Sequence, residues 1–217
     1  MRASPSAPIA RRARPESARH ALFRPPVASR AQEEGDRAKK KGDYFMGFLL
    51  VIPLFLIRFG LLYAVNKDAL ARAAHFAPLV DREKIAYGLY QISNVALIVY
   101  PCFLSIKLEP SYLFGAGVVV YGAGIVLLVV STVQFAHPSP SGLLDRGVYR
   151  LSRNPMYVAY FLYFAGCALL LQSVTMLVLL AVFQASAHGI VKAEERWCLA
   201  TFGDAYRTYM STVRRYL

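Results

Sequence analysis

Two separated blocks of polar residues in this chain have the types and spacing that could do chemistry. The first is Gly147-Val148-Tyr149-Arg150-Leu151-Ser152-Arg153-Asn154-Pro155-Met156-Tyr157, and the second runs from His188 to Glu194-Glu195. A guanidinium with its rigid donor fork suits a carboxylate, and a pair of glutamates suits an ammonium group or ribose hydroxyls. Both blocks border apolar runs, so an Arg-Asn-Pro turn facing a Glu-Glu pair across a helical hairpin predicts a site for a zwitterionic small molecule. On a helix, residues seven apart return to nearly the same face, which puts His188 and Glu195 on one stripe with Lys192 between them.

S-adenosylmethionine carries the carboxylate, ammonium and ribose hydroxyls that such a site would hold. The same residues also have plainer readings. Glu194-Glu195 could be the solvated side of a helix leaving a membrane, Arg150 and Arg153 could be topological charges, and His188 could be a packed interfacial histidine. Tyr157, Tyr160 and Tyr163 could form an aromatic belt.

The elements that must position these blocks are apolar. Hydrophobic residues are 56% of the 217 positions and the mean hydropathy is +0.38, gathered into runs of about bilayer length. Five segments stand out, roughly 46–65, 86–106, 112–135, 156–172 and 174–191, each expected as a helix because lipid leaves no partner for an unpaired backbone. The predicted class is an all-α polytopic integral membrane protein with about five transmembrane helices and a C-terminal amphipathic interfacial helix from Lys192 to about Ser211. Gln172-Ser173 alone joins the last two spans and predicts a tight hairpin. Arg58, inside the first apolar run, is an intramembrane charge and hence a functional candidate, with snorkelling or pairing inside the bundle as the alternative.

The net charge of +12 does not mark a nucleic-acid binder, because 11 of the 25 Lys and Arg lie in residues 1–41, outside every apolar run. Cys102, Cys167 and Cys198 have no ligand-like spacing, so neither a disulfide framework nor a metal site is indicated. Residues 1–44 lack the apolar core of a secretory signal and are expected to be a disordered basic tail, an organelle transit segment, or an extension upstream of a start at Met46. A domain then occupies 45–217. With five spans and the C-terminus inside, twelve Lys and Arg outside the tail fall on the inner face against Lys107 on the outer one, which satisfies the positive-inside rule. The basic tail itself would then lie outside, so either it is absent from the mature protein or the first segment does not span.

The stretch from Gly147 to Tyr157, followed by the hairpin, His188, Glu194-Glu195, Leu199, Phe202-Gly203, Tyr206, Tyr209 and Val213-Arg214-Arg215, resembles the C-terminal half of the isoprenylcysteine carboxyl methyltransferase and phospholipid methyltransferase superfamily, especially its bacterial-type members. The resemblance covers about residues 137–217 and implies a membrane-embedded fold binding S-adenosylmethionine there, with a lipophilic acceptor arriving from the bilayer. It implies a cofactor site of Tyr149, Arg153, Asn154, Pro155, Tyr157, Glu194 and Glu195, with His188 and Arg153 as catalytic candidates and no metal. Asn154 stands where the family usually has His, Ala159 where many members have Gly, and Ile190 where the eukaryotic carboxyl methyltransferases have Arg.

The expected function is therefore methyl transfer from S-adenosylmethionine to an isoprenylcysteine-like carboxylate or a phospholipid-like amine, with the site and the C-terminus on the cytosolic side of a bacterial inner or organelle membrane. The alternatives are an NADPH-dependent sterol-type reductase, disfavoured by acids that would repel a 2′-phosphate, and a non-catalytic membrane scaffold. The lipid bilayer and a lipophilic or lipidated acceptor are the expected partners, without nucleic acid; the sequence leaves the oligomeric state open.

Overall fold

The structure, a computed structural model, describes residues 46–73, 77–80, 82–108 and 110–217, with the isolated positions Gln32 and Gly35. The chain divides into two units, Met1–Lys40 and Lys41–Leu217. Apart from Gln32 and Gly35, the expectations for the basic segment 1–44 lie outside the described residues.

Among the described residues of 41–217, every regular element is helical. The elements are α1 (Met46–Val65), α2 (Lys67–Ala73), α3 (Arg82–Val99), α4 (Tyr112–Ala136), α5 (Pro155–Leu171), α6 (Val174–Phe202) and α7 (Asp204–Thr212). Four of the helices are long and apolar enough to cross a membrane, namely α1, α3 with its 3-10 extension to Phe103, α4 and α6. At 17 residues, α5 rises only about 26 Å and falls short of the roughly 30 Å hydrocarbon layer, so the fifth expected span is apolar but brief.

One boundary differs from the sequence expectation. The interfacial helix expected from Lys192 does not start there: α6 runs unbroken over 29 residues, about 43 Å, and overreaches a bilayer core by several turns. The chain bends at Gly203 (φ 55°, ψ −126°), a left-handed conformation that a side chain would strain. The strongly amphipathic piece is α7 alone, which buries Tyr206 and Tyr209.

Small residues set the packing. A Cβ on Gly124 would lie 2.5 Å from the Tyr163 backbone nitrogen, and one on Gly166 would lie 2.4 Å from that of Tyr121. The antiparallel helices α4 and α5 therefore touch backbone to backbone, as membrane helices do where there is no hydrophobic drive between them. At the same crossing the phenols of Tyr121 and Tyr163 both donate to the Leu50 carbonyl, linking α1 to the pair. On the other side α3 packs along α6, where a Cβ on Gly189 would meet the Ala86 Cβ at 2.8 Å. Gln172 closes the α5–α6 connection in a left-handed conformation (φ 48°), and Ser173 caps α6 through the Met176 amide. Yet α5 and α6 each pack more extensively on α4 and α3 than on each other.

Gly124→Ala should therefore destabilise the protein by about 1–3 kcal/mol through overpacking. Gly122→Ala, whose Cβ would meet nothing within 4 Å, should be neutral. Thermal unfolding in detergent compares the two, and equal melting temperatures would contradict the close contact.

Candidate functional site

The turn before α5 is shaped by hydrogen bonds from its own residues. Gly147 (φ 57°) sits where a Cβ would collide with the Gln134 side chain, whose Oε1 accepts from the Val148 amide at 2.8 Å. The Ser152 hydroxyl accepts from the Asn154 amide at 3.1 Å. Pro155 opens α5, where its missing N–H has no helical partner to lose.

The C-terminal tail is bound to this turn. The Arg153 amide donates to the Arg214 carbonyl at 2.9 Å, and Asn154 Nδ2 donates to the Arg215 carbonyl at 3.0 Å. The Tyr209 hydroxyl donates to the Tyr149 carbonyl at 2.5 Å. Burial pushes the Tyr206 and Tyr209 phenols above their ordinary value of 10, so both keep their protons.

Glu195 anchors the arrangement. Its carboxylate is 5% exposed and meets the Arg153 guanidinium at 2.9 Å and that of Arg215 at 2.7 Å. Arg215 engages both carboxylate oxygens, with its Nε at 3.0 and 3.1 Å. Arg153 also donates to the Met210 carbonyl at 3.0 Å, while its buried Nε has no partner among the described residues.

Beside this triad lies a cavity of about 790 Å³ bounded by α1, α2, α3, the loop 138–144, the turn 149–157, the C-terminal half of α6 and α7. Tyr149, Arg153, Asn154, Pro155, Tyr157, Glu194 and Glu195 all line it. Its wall is rich in aromatic side chains, with Tyr90, Tyr160, Phe164, Trp197, Phe202 and Tyr206 among its residues. Glu194 accepts from the Tyr157 hydroxyl at 3.2 Å and forms no ion pair among the described residues. A carboxylate so placed has acceptor capacity to spare for a cation or for hydroxyl groups.

This geometry bears on three sequence expectations. Of the two roles open to Arg153, meeting a ligand carboxylate or shaping the loop of the pocket, the contacts match the second, because Glu195 occupies its fork. Glu195 was expected to meet a ligand ammonium, but two arginines already satisfy it. His188, expected as a catalytic base, does not line the cavity: its Nδ1 lies 3.1 Å from the Tyr216 hydroxyl. The stripe shared by His188 and Glu195 does exist, and it meets the C-terminal tail.

Arg58 carries a signal that the sequence did give, as a charge inside an apolar run, and it lines the cavity. Among the described residues, its nitrogens reach only the Met156 sulfur at 3.3 Å and the Ala73 carbonyl at 3.2 Å. Asn94 and Gln91 also line the cavity from α3, and sequence reasoning passed over both.

Residues 111–205 match the family model described as phospholipid methyltransferase. The matched stretch holds α4, α5, α6 and the turn between α4 and α5, so it contains Glu194, Glu195, Tyr149, Tyr157 and Tyr160 of the cavity wall but neither α1, α3 nor the C-terminal tail. No curated protein and no solved structure matches the chain.

Glu195→Gln should cost about 3 kcal/mol of stability, because it leaves the buried Arg153 without a counter-charge. Arg215→Gln should cost less, since the Arg215 side chain is 32% exposed and the Glu195 left behind keeps Arg153 as its counter-charge. Glu194→Gln, which breaks no ion pair, should leave the melting temperature within a degree or two. A melting temperature for Glu195→Gln as high as that of the unaltered protein would show the triad to be dispensable.

Proposed function

We propose that this protein is an integral-membrane methyltransferase that uses S-adenosylmethionine and acts on a lipophilic acceptor. The observation that carries this reading is Glu194, a carboxylate with no cationic partner among the described residues, set with Tyr157 in an aromatic cavity lined by the Arg-Asn-Pro turn. The family match over residues 111–205 supports the same reading.

The residues fit the cofactor. The cavity volume of about 790 Å³ lies within the range of small-molecule sites, roughly 300–1,000 Å³. Glu194 would hold the ammonium or the ribose hydroxyls, and the faces of Tyr157, Tyr90 and Tyr160 suit a sulfonium. Arg153 and Asn154 act one step back, fixing the turn and the tail that close the site. When bound, the cofactor supplies a methyl group that is already electrophilic. The chain's task is then to align an acceptor with it and to keep out water, to which the apolar side chains of Leu54, Phe55, Phe59 and Ile98 in the wall would contribute. A carboxylate or thiolate acceptor needs no base. An amine acceptor must lose a proton, and Glu194 is the acid at the cavity wall free to take it.

Detergent-purified protein should bind S-adenosylmethionine in titration calorimetry. Glu194→Gln should weaken that binding roughly ten- to a hundredfold, the loss of one charge-assisted hydrogen bond. Membranes given methyl-labelled cofactor should transfer label to a lipid-phase product. Binding of NADPH in place of S-adenosylmethionine, or of neither, would sink the proposal.

A further inference from the structure

We infer that Arg58, on α1 and outside the matched family stretch, is the residue that receives the carboxylate of the bound cofactor. The inference rests on the reading of the cavity as an S-adenosylmethionine site and names the group that such a site still lacks. A zwitterionic amino-acid moiety needs a cation as well as an anion in the wall. Glu194 supplies the anion.

The obvious cations are spoken for. Arg153 is held by the Glu195 carboxylate at 2.9 Å and by the Met210 carbonyl at 3.0 Å, and Arg215 by both Glu195 oxygens. Arg72 reaches the cavity too, but it is exposed, lies over the Phe135 ring and donates at 3.4 Å to that residue's carbonyl.

Arg58 differs from all three. It is part-buried in a helix long and apolar enough to cross a membrane, where an uncompensated charge is costly and a functional role is the default reading. Its only side-chain partners among the described residues are a thioether sulfur and one carbonyl. Neither is an anion, so the planar donor fork remains available for a bidentate carboxylate. Arg58 shares the cavity wall with Tyr90, Tyr149, Tyr160 and Glu194. Around it α1 widens into a π-helical stretch, Leu56–Leu61, an irregularity often found at functional sites. Cation and anion thus stand on different helices, α1 and α6, with the aromatic cavity between.

The test compares two ligands on purified full-length protein: S-adenosylmethionine and its decarboxylated form, which lacks only the carboxylate. The unaltered protein should prefer the carboxylated ligand. Arg58→Gln should weaken S-adenosylmethionine binding at least tenfold and leave the decarboxylated ligand unchanged, so the preference collapses. Arg58→Lys, keeping the charge without the fork, should fall between, and Arg72→Gln should leave the preference intact. Equal weakening of both ligands by Arg58→Gln would make the residue merely structural and overturn the inference. So would an unchanged preference, including the case in which only the Michaelis constant for the acceptor rises. If the unaltered protein binds neither ligand, the cofactor reading falls as well, whereas the Arg58 outcomes test this assignment alone.

Discussion

A carboxylate removed from water between two guanidinium groups fixes the geometry on which everything at the site depends. Glu195 comes from α6, Arg153 from the turn before α5 and Arg215 from the C-terminal tail. In a low dielectric, the buried charges of Glu195 and Arg153 are not tolerable without each other, and removing one is far more disruptive than never having had the pair. The triad therefore acts as a lock with three parts. Because Arg153 also donates to the Met210 carbonyl and Asn154 to that of Arg215, the tail cannot shift without moving the turn. The turn and tail that bound the cavity take their positions from this lock, and Glu194, one residue away on α6, faces the cavity.

The membrane helices supply the frame. Two pairs form, α4 with α5 and α3 with α6, and the first is pinned by backbone contact at Gly124 and Gly166. The two helices α5 and α6 are joined only by Gln172-Ser173, and each packs chiefly on a different neighbour. Both contribute aromatic side chains to the cavity, Tyr157, Tyr160 and Phe164 from α5 and Trp197 and Phe202 from α6. Helix α6 is long enough that its last turns rise beyond the hydrocarbon, which lets acids sit beside an apolar cavity without being buried in lipid. The clamp formed by Arg196 on Glu83 and the Pro78 carbonyl ties the start of α3 to those same turns.

The sequence by itself determined the elements and their approximate ends. Apolar runs of bilayer length admit only helices, Pro155 can open a helix but not continue one, and Ser173 is a capping residue, so the helices and the meeting of the Arg-Asn-Pro turn with the Glu pair were legible from local chemistry. The charge of Arg58 was legible too, though not what it faces. What only the tertiary structure decided is which charges neutralise one another. Adjacent helical positions point about 100° apart, so Glu194 and Glu195, indistinguishable in sequence, face different surroundings: one meets Tyr157 and the cavity, the other Arg153 and Arg215. The stripe of His188 and Glu195 follows from periodicity, but its direction depends on how α6 is rotated against the tail, and that rotation turns His188 toward Tyr216. Continuity of α6 through Lys192 was hidden for a similar reason: polarity marks where a helix leaves the lipid, whereas only the backbone at Gly203 marks where it ends.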